Sequence, residues 1–203
     1  MLDCHQSAVE IIIVLEVLVV LVMLRDIIEV LRVSAPCFQR WRAMVSLEHN
    51  IGQSRTRDKV CLCLMPAMII LMLCYNLVVI NVWQFLIYLS GLYVVRRVLY
   101  ATVPHHKVGS EFWGASMNAP NLFVITTIVL WLLSVVVMWA FSASGIVYKV
   151  VLWVELGYFF VFSIIRQFQI LRSQCGALQA FLYLCALEII PMAGLVVVIF
   201  LVK

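Results

Sequence analysis

The chain has 203 residues, 66% of them hydrophobic and 12% charged, with a mean hydropathy of +1.12 and a formal charge of +4. Soluble domains carry about 25% charged and roughly 45–50% apolar residues, so composition excludes a free-standing soluble fold and predicts a polytopic membrane protein. So small a charge, with no polar domain to carry a basic face, gives no support to nucleic-acid binding, and no nucleic acid is expected as a partner.

The first apolar run, from Ala8 to Leu24, has no positive segment ahead of it and is followed by arginines and further apolar runs. That order predicts a membrane span rather than a cleaved leader. Glu10 and Glu16 interrupt it. The polar stretch 25–59 comes next, with Arg25, Arg32, Arg40, Arg42, Arg55, Arg57 and Lys59. Within it Phe38, Trp41 and Val45 recur at helical spacing, which fits a short helix lying on the bilayer surface. A basic loop with a few packed aromatics fits equally well, and Gln53–Asp58 is its expected mobile part.

From Val60 to Val103 the chain is almost continuously apolar. At ~1.5 Å per residue the stretch is about twice the ~30 Å hydrocarbon core, so two spans are expected rather than one. Asn76 and Asn81 mark the intervening turn, placed between Tyr75 and Gln84. Charge favours the division, because with two spans Arg96, Arg97 and Lys107 share a face with the 25–59 loop, as the positive-inside rule prefers. A second loop, 101–119, carries Phe112 and Trp113 as interfacial anchors. Pro120 to Phe141, Ile146 to Ile165 and Ala177 to Val202 then read as three further spans, with loop 166–176 before the last.

The expected fold is therefore all-α: a transmembrane bundle of six spans (8–24, 60–75, 83–100, 120–141, 146–165 and 177–202) in one domain. Both termini fall on the outer side, and all the Lys and Arg residues except Lys149 and Lys203 fall inside. Seven cysteines at irregular spacing read as reduced apolar side chains, not as a disulfide framework. Cys61-Leu-Cys63 lacks the spacing of a zinc or redox site, and the adjacent His105 and His106 do not share a helix face to join Glu111. No metal and no cofactor is expected.

The acids at mid-span carry the candidate chemistry. Glu16, Glu155 and Glu188 each lie near the middle of an expected span, and no lysine or arginine is expected at that depth. Pro191 lies three residues after Glu188 and cannot donate to the carbonyl of Leu187, so the helix is loosened beside the acid. One reading is a proton or cation relay centred on Glu188, with Glu155 and Glu16 as partners and Thr126, Thr127 and Ser134 supplying hydroxyls. The other is a set of protonated acids that donate hydrogen bonds to neighbouring helices, or reach snorkelled arginines, purely to fix packing. Arg96 and Arg97, each four residues from a tyrosine (Tyr100 and Tyr93), read as anchors for lipid phosphate or the interface, together with Trp41 and Trp113. Gly176 and Ala180 form a small-residue pair at the start of the last span. Nucleotide-binding, hydrolase and metalloprotease motifs are absent, and no enzymatic activity is expected.

Leu182-Tyr-Leu-Cys-Ala-Leu-Glu188-Ile-Ile-Pro191 resembles the C-terminal signature of an uncharacterised family of integral membrane proteins from Bacteroidota, domain-of-unknown-function family 4271. The resemblance extends back through Arg172 and Arg166 to the fourth span. It implies a bacterial inner-membrane location and brings no assigned activity. Two departures from the family pattern are a short N-terminus and a tight connection between the second and third spans. The expected function is a non-enzymatic inner-membrane component, an assembly factor or subunit whose partners are the lipid bilayer and other membrane proteins. A small proton- or cation-coupled carrier using the glutamates is the alternative, with its substrate unspecified.

Overall fold

A computed structural model describes residues 18–74, 82–103, 108–141, 144–191 and 193–194, and these are helical almost throughout, with no strand among them. Chain order gives α1 (Leu24–Gln39), α2 (Trp41–His49), α3 (Ile51–Cys74), α4 (Val82–Thr102), α5 (Ser110–Ala140), α6 (Gly145–Arg172) and α7 (Ala177–Leu184). A π-turn, Cys185–Ile189, continues α7. The first expected span lies mostly outside the described residues, as do most of the turn expected between Tyr75 and Gln84 and the end of the last span.

The stretch read as a basic loop with one surface helix is three helical segments joined by single residues. In α1 the buried positions are Ile27, Val30, Ser34 and Cys37, a three-and-four spacing that lines one face. Arg40 breaks the run with an extended backbone, and α2 then buries Met44 and Leu47. Asn50 breaks it again, and its side-chain carbonyl accepts the Gln53 N–H at 3.4 Å, an N-cap for α3. That cap explains why Gln53–Asp58, expected to be mobile, is helical.

Three prolines lie inside helices: Pro36 in α1, Pro66 in α3 and Pro120 in α5. Each removes one i→i−4 hydrogen bond. The fourth expected span begins at Pro120. Instead α5 starts ten residues earlier, at Ser110. Tertiary packing outweighs the missing bond, because Trp113, Ala115, Ser116 and Ala119 ahead of the proline are all buried.

Helices α5 and α6 form the most extensive pair. One core joins them to α1, α2 and α3 through Leu64, Leu122, Ile125, Ile128 and Ile170. Phe38 of α1 sits edge-on to Phe123 of α5, with centroids 5.3 Å apart. A second, smaller core gathers Tyr100, Val108, Trp113, Leu171, Ala180 and Leu187 where α4 and the α7 end of the chain meet α5. Two stretches among the described residues, Ser110–Met138 and Gly145–Arg172, are long and apolar enough to cross a membrane. The outer face of α6 leaves Val150, Trp153, Val154, Tyr158 and Val161 exposed.

Gly114, on α5, lets that helix approach Glu48 of α2. A methyl group there would meet Glu48 Cγ at 3.5 Å, ordinary van der Waals contact. Gly114→Ala should therefore raise stability by about 0.5–1 kcal/mol through backbone entropy. Thermal unfolding of the purified variant in detergent checks this, and a lowered midpoint would show that Glu48 has no room to give.

Candidate functional site

The carboxylate of Glu188 lies in the π-turn. Up to Leu184 the helix keeps its ordinary turns; then the Ile190 N–H bonds the Cys185 carbonyl five residues back. Pro191 follows at once and offers no N–H, so the wider turn accompanies a break in the hydrogen-bond ladder. Leu187 and Glu188 are buried on its inner side, while Ile189 and Ile190 stay exposed.

Across from the turn, α4 places Arg96 and Tyr100 four residues apart on one face, 9% and 2% exposed. Arg96 Nε donates to Glu188 Oε1 at 2.8 Å and Tyr100 Oη donates to the same oxygen at 3.1 Å. Arg96 Nη2 donates to the Met117 carbonyl of α5 at 2.6 Å. Its guanidinium also lies 5.2 Å from the Tyr100 ring centroid. Trp113 donates its indole N–H to the Tyr100 carbonyl at 3.1 Å and packs on Tyr100 and Tyr183, with centroids 5.0 and 5.5 Å away. Glu188, only 6% exposed, thus has a cation, a phenol and an aromatic wall around it.

The reading that no cation reaches the depth of Glu188 is corrected by this pairing. Backbone position placed Arg96 too near the helix end, whereas its long side chain extends several ångström from its own Cα. Arg97, its neighbour, also reaches Met117, with Nη1 3.3 Å from its Sδ, while Nε and Nη2 meet the Tyr93 hydroxyl at 3.2 and 3.0 Å. Trp113, expected at the interface, is 6% exposed in the second core. Trp41 is half-buried, with the Arg42 guanidinium 5.5 Å from its ring centroid and Phe112 at 6.4 Å.

Glu155 has a different environment. Ser134 Oγ of α5 donates to its Oε1 at 2.6 Å, and its Oε2 is buried without a hydrogen-bond partner. Thr126 and Thr127 return their hydroxyls to the Leu122 and Phe123 carbonyls of their own helix, at 2.9 and 2.8 Å. Glu155 and Glu188 therefore share no partner, and the threonine hydroxyls bond locally. Glu16 lies outside the described residues, as do His105 and His106. Among the described residues no group of His, Cys, Asp and Glu has the arrangement of a metal site. Burial pushes the Cys37 thiol up to about 11, so it behaves as a small apolar side chain at neutral pH.

A second polar centre escaped the sequence reading. Arg57 of α3, 3% exposed, donates to Glu48 Oε2, Asp58 Oδ1 and Ser54 Oγ, each at 3.0 Å. Asn118 and Asn121 of α5 complete it, donating to Glu48 at 2.8 Å and Asp58 at 3.1 Å. Their three-residue spacing was the available signal, but it counts only once residues 118–121 are known to be helical. A third tie is Arg166 of α6, which donates to the Phe38 carbonyl of α1 and to Gln169. In each centre a buried or partly buried cation joins two or more helices through several acceptors at once. Compared with known proteins, the chain matches no protein-family model, no curated protein and no solved structure.

Proposed function

We propose that the chain is a six-span helical protein of the bacterial inner membrane, with both termini on the periplasmic side, acting as a non-enzymatic assembly factor or subunit of a membrane complex. The spans, 8–24, 60–75, 83–100, 120–141, 146–165 and 177–202, follow the hydropathy and the positive-inside distribution. The exposed aliphatic and aromatic face of α6 suits lipid contact. The observation that carries the functional reading is the closure of Glu188 by Arg96 and Tyr100. A relay needs an acid free to exchange protons with a water path, whereas an acid bound between a buried guanidinium and a phenol holds helices in place.

One observation favours the carrier reading, the partnerless Oε2 of Glu155. Flux of protons and monovalent cations in proteoliposomes separates the two. The expected outcome is no flux above that of empty liposomes across a range of pH and gradients. Flux that is present in the wild type and disappears in Glu155→Gln or Glu188→Gln, with folding retained, overturns the structural reading.

A further inference from the structure

α1 and α2 meet at Arg40, whose extended backbone (φ −133°, ψ 123°) turns the chain between them. The elbow opens a groove of about 780 Å³ whose walls include Gln39, Arg40, Trp41, Arg42 and Ser46. Arg40 and Arg42 are exposed. Neither pairs with a carboxylate among the described residues. This sets them apart from Arg57 and Arg96, whose guanidiniums are used up inside the fold. Stacking on Trp41 orients the Arg42 guanidinium and leaves its N–H edge to meet an acceptor. The acid in the adjoining groove, Glu111, meets His49 Nδ1 at 3.1 Å and makes no ion pair with Arg40 or Arg42.

We propose that this elbow binds the phosphate headgroup of an anionic phospholipid, with Arg40 and Arg42 clasping the phosphate and Trp41 lying at the headgroup–acyl boundary. Two guanidiniums without an acid are complementary to a phosphodiester, which accepts their N–H groups in pairs. The surface of α1 gives the depth. Exposed side chains pass from Leu18, Leu21, Val22 and Leu24, all apolar, through the mixed set Arg25, Ile28 and Glu29 to Arg32, Gln39 and Arg40, with Ala35 and Pro36 between. Trp41 is half-buried at the polar end, where amphipathic rings collect at a bilayer surface. The proposal rests on the membrane reading above, which places this elbow on the cytoplasmic face.

The test uses the full chain, purified in detergent and stripped of lipid, with lipid adducts counted by native mass spectrometry. The probes are phosphatidylglycerol, phosphatidylcholine and inorganic phosphate. Phosphatidylglycerol should bind in preference to phosphatidylcholine, and Arg40→Gln/Arg42→Gln should weaken it about 10- to 30-fold, as two lost cations imply. Arg55→Gln, an exposed arginine outside the groove, should leave binding unchanged. Arg40→Lys/Arg42→Lys should fall between, keeping charge while losing the fork. Equal retention by wild type and the double glutamine variant overturns the assignment, as does equal binding of the two lipids. Displacement by inorganic phosphate at matching concentration would make the free ion the occupant instead. The membrane reading fails separately, if the reconstituted wild type is stripped from liposomes by alkaline carbonate.

Discussion

Replacing Arg96 with leucine is expected to lower the unfolding free energy by about 3–5 kcal/mol, the range for removing one partner of a buried ion pair. Arg96 and Glu188 side chains are 11% and 7% exposed, so water does little to screen either. The variant leaves Glu188 facing Tyr100 with no cation, and leaves the Met117 carbonyl without its arginine donor. Glu188→Leu should cost a similar amount, by stranding Arg96. The double variant Arg96→Leu/Glu188→Leu should recover most of the loss, because desolvating the pair offsets much of its attraction. Reversible unfolding in bicelles, arranged as a double-mutant cycle, gives the coupling directly. Additive losses in the double variant would mean that the two side chains act independently, and the clamp would have to be abandoned.

Arg57→Met should cost about 3 kcal/mol, the lower end of the same range. The discount comes from Asp58, whose side chain is 40% exposed and rehydrates when released. Glu48, 17% exposed, has Asn118 and Ser54 left but no cation. Asp58→Asn should cost about 1 kcal/mol, since it removes an exposed charge and keeps an acceptor for Asn121. Amide exchange adds a local readout: protection should drop in the first two turns of α3 and at the facing turn of α5. A change within about 0.5 kcal/mol, typical of a solvated surface residue, would show that Arg57 lies in water and that this corner is a loop after all.

The sequence made the acid at 188 and the proline at 191 stand out, because a carboxyl and a missing donor are rare in an apolar run. It also placed helices correctly in outline where apolar runs were long, as in α5 and α6. Depth was the weak step. Counting residues locates Cα atoms, whereas the Arg96–Glu188 contact is made by side chains on segments 92 positions apart. A residue count along one span says nothing of how two segments turn toward each other. The Glu48–Arg57–Asp58 centre was hidden for a different reason. Its residues lie in a stretch rich in charge, and charge in a hydrophobic chain reads as loop. What identifies them is the alternation of buried and exposed positions across breaks at Arg40 and Asn50, too short to carry a clear period on either side. Pro120, the first residue of the fourth expected span, lies inside α5, whose earlier turns are polar in sequence and buried in the fold.

The π-turn also fixes how this part of the chain tolerates a change in length. A five-residue repeat of the hydrogen bond accommodates one residue more than the α-helical ladder does over the same rise. Deleting a single residue between Cys185 and Ile189 lets the backbone relax to ordinary α-helix and leaves the segments on either side in their present phase, whereas inserting one more turns everything beyond it by about 100° relative to what precedes. After an insertion ahead of Glu188, Leu184 and Ala180 would keep their places, yet the acid would swing away from α4. Point substitutions here act on one contact each, but an insertion acts on the phase between the segments before and after the turn. The turn has room to lose a residue and none to gain one.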